Sequence, residues 1–288
     1  MLAVIGTIPD PSAPVIEGQA LYSDHGITVS GLHIPADRGT PALLGAACAA
    51  CAVLGQPAPY AFLVGDEGLG RGSRDLYRHL AAVLPGLALS TLAFHYLQPD
   101  VMWHDKVLFA VDEMRPRPKL IADAGFMYAA KMSGQAASYD LFTPDAGELA
   151  FLADETAPHP FYTRGFILHD DNRVPDLIRR AYVSGNAAAC LLVKGGTDHV
   201  ADASGVLYTV DGPSEEAMEA MGGTGDTLTG TAAALVEAGH PVPGAGRLAA
   251  LVNRLAGRLA RPNPGSRISE IIAHIPQALT QALAGEAP

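Results

Sequence analysis

The chain has 288 residues, 49% of them hydrophobic, and a formal net charge of −11 at pH 7. This length is enough for one α/β domain with a large core, and the acidic balance argues against nucleic acid or an anionic membrane as partner. No uncharged apolar run reaches the ~18 residues of a membrane span, and residues 1–5 lack the basic start of a signal peptide. With three cysteines, the composition predicts a soluble protein of the reducing cytoplasm.

The first 39 residues favour β-structure. A hairpin is expected with its turn at Asp24–Gly26, and residues 1–39 are interpreted as an accessory β segment. A helix follows to Leu54, with Thr40 as N-cap and Pro41 as its first residue. Cys48 and Cys51 lie within it and are interpreted as core residues, because no second pair of metal ligands accompanies them.

From residue 60 onward, short apolar strands alternate with helices. This alternation predicts parallel strands with helices on both faces, that is, a three-layer α/β/α fold over residues 1–288 with a small N-terminal β-hairpin flap. Strands are expected at 60–64, 88–94, 119–122, 139–143 and 187–193, and helices at 73–83 and 107–114.

Polar and glycine residues follow several of these strands. Ligands of parallel α/β sheets collect at the carboxyl ends of the strands, so these residues are expected to share one crevice. A glycine loop between residues 65 and 73 is also suited to an anion. The candidates are Gly65, Asp66, Gly68, Gly70, Asp123, Thr143, Lys194 and Gly195.

The most informative segment spans residues 221–230. Gly222, Gly223, Thr224 and Gly225 precede Asp226 and an apolar run, a pattern typical of a loop that opens a helix. Glycines let amides converge on an anion, and the helix N-terminus favours negative charge. Asp226 is then well placed to accept a proton from a hydroxyl. The alternative is a glycine-rich turn in which Asp226 is an ordinary helix-start residue.

Residues 141–152, 189–198 and 221–230, in this order, resemble the ribokinase-like superfamily, and within it most closely the nucleotide-dependent NAD(P)H-hydrate dehydratases. The corresponding motifs are Thr-Pro-x-x-Gly-Glu, a strand that ends in Lys-Gly, and Gly-Gly-Thr-Gly-Asp-x-Leu-x-Gly. The resemblance covers about residues 119–280, including two late helices.

The resemblance implies an enzyme that binds ADP or ATP with Mg²⁺ and uses Asp226 as its base. It implies that Glu148 holds the metal ion through water and that Asn253 lines the nucleotide base, while Lys194 is a candidate for a nucleotide phosphate. The alternatives are a helix-start acid for Glu148 and a solvated strand end for Lys194.

The front half departs from the dehydratase pattern. The family's Gly-Pro-Gly-Leu-Gly element is missing, and residues 99–106 occupy its place without a glycine. Gly125 replaces the second acid of a family Asp-Ala-Asp, and Asp145 replaces a histidine. These changes fall on the acceptor side, which we expect to involve the loop at 65–72 and Asp123. Further candidates there, for which packing or a surface position is the favoured interpretation, are His95, Tyr96, His104 and Tyr128.

Three functions are therefore considered. The leading one is phosphoryl transfer from ADP or ATP to a small-molecule hydroxyl, in the form of dehydration of hydrated NAD(P)H. The second is a small-molecule kinase that stops at the phosphorylated product, and the third is a nucleotide-binding sensor without chemistry. The sequence does not choose between ADP and ATP, and it leaves open whether the chain forms a homo-oligomer.

Overall fold

The computed structural model describes residues 1–23, 26–154, 173–263 and 265–286. The strands are β1 (Leu2–Ile8), β2 (Ile16–Ser23), β3 (Gly26–Val29), β4 (Leu32–Pro35), β5 (Tyr60–Gly65), β6 (Thr91–His95), β7 (Lys119–Ala122), β8 (Leu141–Phe142), β9 (Cys190–Val193), β10 (Asp198–Asp202) and β11 (Gly205–Val210). The helices are α1 (Gly39–Val53), α2 (Arg71–Val83), α3 (Val101–Glu113), α4 (Gly125–Met132), α5 (Ala146–Ala153), α6 (Val174–Val183), α7 (Thr224–Glu237), α8 (Val242–Ala260) and α9 (Ile268–Glu286).

The strands form one sheet in the order β11-β10-β9-β8-β7-β6-β1-β5-β2-β3-β4. The six strands from β9 to β5 are parallel, while β10 and β11 at one end and β2, β3 and β4 at the other are antiparallel. The predicted α/β fold and its N-terminal hairpin are confirmed. The expected turn at Asp24–Gly26 falls mostly outside the described residues, since 24 and 25 are not among them.

Helices cover both faces of the sheet. Strand β1 shows how, because its successive side chains point to opposite faces. Leu2 and Val4 join a core cluster with buried residues of α1, α7, α8 and α9. Ala3 and Ile5 join a second cluster with α2, α3, α4, α5 and α6. The strands are therefore buried on both faces, which is why they read as continuous apolar runs.

The N-terminal segment differs from expectation. Residues 1–39 are not accessory throughout, because β1 lies in the middle of the sheet between β5 and β6. Its neighbours are set by pairing with strands more than 50 residues away, which the local sequence does not encode. The accessory part is limited to β2, β3 and β4.

Two helix starts also differ from expectation. Helix α1 begins at Gly39 with Arg38 at the N-cap, because the hydroxyl of Thr40 hydrogen-bonds His95 and so does not cap the helix. Helix α3 begins at Val101, where the side chain of Asp100 accepts the amide of Trp103. Within the described ranges, no helix has the length and apolarity that a membrane crossing requires.

Candidate functional site

The candidate site lies at the carboxyl edge of the parallel strands. Strand β6 ends at His95, Asp123 directly follows β7, Thr143 follows β8, and Lys194 follows β9. The first turn of α7 reaches the same edge and brings Asp226 to His95. The expected convergence at one edge of the sheet is therefore observed for Asp123, Thr143, Lys194 and Asp226.

A glycine turn starts α7. Gly223 has a φ of 103° at the N-cap, and no side chain of the described residues caps the helix. The amides of its first turn are thus available to an anion, and the helix dipole favours one there. Gly223 packs against Ile268, since a Cβ at this position would lie 2.9 Å from the side chain of Ile268. One side of the turn is therefore packed against α9.

Asp226 is buried in the first turn of α7 and has two hydrogen-bond donors. Its Oδ2 accepts the amide of Gly39 at 2.6 Å, and its Oδ1 lies 3.1 Å from Nε2 of His95. Burial raises the pKa of Asp226, but the hydrogen bond from His95, the charge of Lys194 and the amide of Gly39 outweigh it and lower the pKa below its usual value. Asp226 is therefore ionised near neutral pH and can accept a proton.

A second carboxylate pairs with Lys194. Both oxygens of Asp123 accept hydrogen bonds from Nζ of Lys194 at 2.9 Å, and Oδ1 also accepts the amide of Ala124. Burial lowers the pKa of Lys194, but Asp123 and Glu148 more than compensate and raise it above its usual value. Lys194 also lies beside the α7 turn, since a Cβ on Gly225 would be 3.4 Å from Nζ. The ammonium thus sits between Asp123 and the anion-binding turn.

Thr229 joins α7 to the neighbouring strands. Its Oγ1 lies 2.7 Å from Oδ2 of Asp123, 3.0 Å from Oγ1 of Thr143 and 3.1 Å from the Gly225 carbonyl. Thr143 is fully buried. The expected substrate contact of Thr143 stays a prediction, and the structure shows its hydroxyl hydrogen-bonded to Thr229 of α7.

Glu148 lies in the first turn of α5 and forms a capping box with Asp145. Its Oε2 accepts the Asp145 amide at 2.9 Å, and its own amide donates to Oδ1 of Asp145 at 2.7 Å. Loss of hydration, opposed by Lys194 and reinforced by Asp145 and Asp123, raises the pKa of Glu148 to about 8. Carboxylates that raise one another's pKa form a site that favours a cation, and oxygen ligands suit Mg²⁺.

A histidine and two carboxylates present another set of ligand atoms. His95, Asp123 and Asp226 offer atoms within 4.8 Å of one another. Asp123 is already paired with Lys194, however, and His95 with Asp226. Lys194 supplies the positive charge in this cluster, so Glu148 is the better magnesium candidate.

The loop from Gly65 to Ser73 is closed by its own aspartate. Oδ1 of Asp66 accepts the amides of Gly68, Leu69 and Gly70 at 3.0 Å, and Oδ2 accepts the amide and hydroxyl of Ser73 at 2.8 Å. Burial raises the pKa of Asp66, but these hydrogen bonds lower it overall.

The loop therefore contains a turn that binds an anion, as the sequence indicates, but that anion is the carboxylate of Asp66. Gly65 packs against backbone, since a Cβ there would be 1.8 Å from the Asp10 carbonyl. A direct substrate contact by Gly65, Asp66, Gly68 or Gly70 stays a prediction.

Two further candidates have internal partners. The amide of Gly195 donates to Oδ1 of Asp198, and its carbonyl accepts from Arg254. Asn253 of α8 is buried, with its Nδ2 donating to the Thr224 carbonyl and its Oδ1 accepting from Thr227. The contacts of Asn253 tie α8 to the first turn of α7, whereas those of Gly195 lie between β9, β10 and α8. The expected nucleotide contacts of Gly195 and Asn253 stay predictions.

Two tyrosines face the carboxylates. Loss of hydration, with Asp226 and Asp123, raises the pKa of Tyr96 to about 12. Burial and then Glu148 raise the pKa of Tyr128 well above its usual value. Tyr96 is half exposed and has a φ of 53°, a strained conformation that concentrates at functional sites. His104, by contrast, is buried and hydrogen-bonds the hydroxyl of Tyr139 at 2.7 Å, which makes it a core residue.

Sequence reasoning missed the contacts of Gly39 and His95 with Asp226. Gly39 lies 187 residues from Asp226 in the chain, and His95 in isolation is more typical of packing. The only local signal was the position of His95 at the end of an apolar strand, where α/β sheets place ligand-binding residues.

The geometry places an aspartate, a lysine, the N-terminus of a helix and a carboxylate cluster together at one edge of the sheet. A family model described as NAD(P)H-hydrate dehydratase matches residues 98–277. An uncharacterized protein of Methanocaldococcus jannaschii is 41% identical over 220 residues, which cover 76% of this chain and 90% of that protein.

Solved structures share the fold. A ribokinase-like superfamily protein from Enterococcus faecalis aligns with a TM-score of 0.60 and 16% identity, over 98% of this chain and 87% of that one. The ADP/ATP-dependent NAD(P)H-hydrate dehydratase from Bacillus subtilis, co-crystallized with ATP/Mg²⁺, aligns with a TM-score of 0.55 and 16% identity, over 98% and 89%. The chain thus belongs to the NAD(P)H-hydrate dehydratase family of enzymes.

Proposed function

We propose that this protein transfers a phosphoryl group from ADP or ATP to a small-molecule hydroxyl, and that its reaction is the dehydration of hydrated NADH or NADPH. The observation that carries the proposal is the buried Asp226 in the first turn of α7, beside amides that no side chain in the described part of the protein caps. Membership in the family supports the nucleotide and the substrate.

The residues have separate tasks. Asp226 accepts the proton of the hydroxyl while the hydroxyl oxygen bonds to the terminal phosphorus and the bond from that phosphorus to its bridging oxygen breaks. The amides of the Gly223–Gly225 turn and the helix dipole stabilise the charge on the phosphoryl oxygens. Lys194 adds a positive charge next to Gly225. Mg²⁺, when bound near Glu148, would neutralise phosphate charge.

Phosphorylation explains why a nucleotide serves a dehydration. Hydroxide is a poor leaving group, whereas phosphate is a good one. After transfer, the carbon–oxygen bond of the substrate breaks, its electron pair leaves with phosphate, and loss of a ring proton restores NAD(P)H. The nucleotide is thus consumed to make the hydroxyl leave.

The test is to incubate the purified protein and Mg²⁺ with hydrated NADH and either ADP or ATP, and to measure phosphate release together with the recovery of NADH. We expect both products in equal amounts. Asp226→Asn should reduce turnover by about 10²–10⁴-fold, the contribution of a positioned base. Nucleotide affinity, measured by calorimetry, should change little because the amides remain.

The matched control is Asp75→Asn, which removes an exposed carboxylate paired with Arg78 on α2. It should retain full turnover. Unchanged turnover of Asp226→Asn would contradict the assignment of the base, and loss of folding in that variant would favour a purely structural aspartate.

The residues expected to contact the phosphoryl acceptor support a second function, that of a small-molecule kinase. Strand β6 ends at His95 and is followed by Tyr96, in a chain that lacks the family's Gly-Pro-Gly-Leu-Gly element. A different acceptor side favours a different hydroxyl, as in a small-molecule kinase. A panel of alcohols with ATP separates the two functions, since a kinase accumulates a phosphorylated product without releasing phosphate.

A further inference from the structure

A chain of hydrogen bonds runs behind Asp226. Oγ1 of Thr40 lies 3.0 Å from Nδ1 of His95, and Nε2 of His95 lies 3.1 Å from Oδ1 of Asp226. The exposed fractions of these three residues are 0%, 1% and 8%. They come from the first turn of α1, the end of β6 and the first turn of α7, so three separate segments converge on one line of polar atoms.

The partners determine the direction of these hydrogen bonds. Oδ2 of Asp226 accepts an amide proton, so the side chain acts as an acceptor there. If Oδ1 is an acceptor too, Nε2 of His95 must carry a proton. Nδ1 is then the acceptor for the Thr40 hydroxyl, because a neutral imidazole has one N–H. The hydroxyl therefore selects the form of the ring that donates to Asp226.

This chain of hydrogen bonds resembles a hydroxyl–imidazole–carboxylate triad, but the hydroxyl of Thr40 cannot be a nucleophile. Thr40 is fully buried, and a Cβ on Gly6 would lie 2.4 Å from its Oγ1. No substrate can reach an oxygen packed this tightly against β1. The reactive end is the carboxylate, which lies at the open edge of the sheet.

We propose that His95, oriented by Thr40, is a positioning residue for Asp226, and this inference rests on the proposed role of Asp226 as the base. Donors on both oxygens fix the plane of the carboxylate and keep it ionised. Each oxygen retains a second lone pair, so the carboxylate can still take a proton from a hydroxyl in the crevice.

The first test concerns geometry and does not require activity. Long-range ¹H–¹⁵N spectra of uniformly labelled protein report which ring nitrogens carry protons, and the spectrum of His95→Gln identifies the signals of His95. A proton on Nε2 is the expected result. A ring without a proton on Nε2 would overturn the proposal, whatever the reaction is.

The second test uses paired variants. His95→Leu and Thr40→Val remove the donor to Asp226 and the hydroxyl that orients it, and kcat should fall about 10–100-fold, as for loss of a partner that orients a reacting side chain. KM for nucleotide should stay within about twofold, because the amides of α7 are untouched. His95→Gln and Thr40→Ser retain a donor and a hydroxyl, and should recover kcat to within about threefold of the native protein.

His240→Leu is the control, since His240 follows the opposite end of α7, and it should match the native protein. Equal kcat in His95→Leu and the native protein would overturn the proposal, as would equal losses in Thr40→Ser and Thr40→Val. If Asp226→Asn remains fully active while His95 donates through Nε2, the proposed base fails and the geometry stands, so the two failures are distinguishable.

Discussion

At the scale of single residues, the site depends on opposite charges buried side by side. Asp123 and Lys194 have side chains that are 2% and 13% exposed, and their atoms are 2.9 Å apart. A buried pair contributes little net stability when intact, but removal of one partner leaves an uncompensated charge.

Lys194→Met should therefore destabilise the protein by about 3–5 kcal/mol, because it leaves the Asp123 carboxylate unpaired. The measurement is urea unfolding. The double variant Lys194→Met with Asp123→Asn should regain part of the loss, whereas two independent residues would give additive losses. Additive losses would contradict the coupling.

Glu148→Gln should weaken the dependence of activity on Mg²⁺. Glutamine can retain the capping box with Asp145, so α5 should keep its start. Glutamine cannot supply the anionic oxygens that Mg²⁺ favours, and the Mg²⁺ concentration for half-maximal activity should rise about tenfold or more. The control is Asp176→Asn, which changes an exposed first-turn acid of α6 that is paired with Arg179. An unchanged Mg²⁺ requirement in Glu148→Gln would exclude this metal contact.

At the scale of elements, the loop before α2 shows a carboxylate that replaces an external ligand. Asp66 accepts four amides and one hydroxyl of its own loop. The glycines at 68 and 70 have φ values of 89° and 77°, which let their amides point inward.

Asp66→Ala should thus cost about 2 kcal/mol of stability or somewhat more, as for loss of a strong helix cap. Thermal unfolding measures this loss. At a temperature where the variant is folded, KM for the acceptor separates the two roles of Asp66. An unchanged KM indicates support of the loop, and a large increase indicates the predicted substrate contact.

Helix α3 carries a buried histidine whose titration affects stability. Burial lowers the pKa of His104 below its usual value of 6.5, and Asp105 opposes this effect only in part. The unfolded state therefore binds a proton at a higher pH than the folded state does. The contribution of His104 to the free energy of unfolding is therefore fully present above about pH 6.5. It falls as the pH decreases toward the pKa of His104 in the folded state, by up to ~1.4 kcal/mol per pH unit.

The check is urea unfolding of the native protein and His104→Gln at about pH 7 and about pH 5.5. Glutamine can donate to Tyr139 but does not titrate, so the variant should lose less stability on acidification. Carboxylates elsewhere affect both proteins equally. An identical loss in the two proteins would show that His104 does not titrate differently on unfolding.

At the scale of the whole molecule, strand β1 connects the two faces of the sheet. Its alternating residues belong to both core clusters, and it pairs with β5 on one side and β6 on the other. Neither half of the sheet is complete without it, which favours the predicted single domain.

One cooperative unfolding transition is therefore expected. Trp103, the only tryptophan, reports on the α3 face through its fluorescence. Cys48 and Cys51 are buried in α1 on the opposite face, and labelling of their thiols reports on that side. The two midpoints in urea should coincide, and separated midpoints would indicate two independently folding units.

The sequence predicted the parallel sheet, its flanking helices and the α7 turn because each depends on local patterns: apolar runs, glycines and helix starts. It did not predict the centre of the sheet at β1, nor the donors to Asp226 from Gly39 and His95. These features depend on contacts between residues more than 50 positions apart. The sequence likewise indicated that Asp66 follows a strand, but it did not predict that the carboxylate accepts the amides of its own loop.

The loop that Asp66 fills does not need a ligand to maintain its shape. Asp66 and all its hydrogen-bond donors lie between residues 66 and 73. The turn at α7 depends on Asn253, Thr227 and Ile268, which all lie in the C-terminal part of the chain. The turn is thus held by the C-terminal part of the chain, whereas the carboxylate of Asp226 is held by Gly39 and His95 of the N-terminal part. A substitution at residue 39 or 95 can therefore displace the carboxylate while the turn keeps its shape.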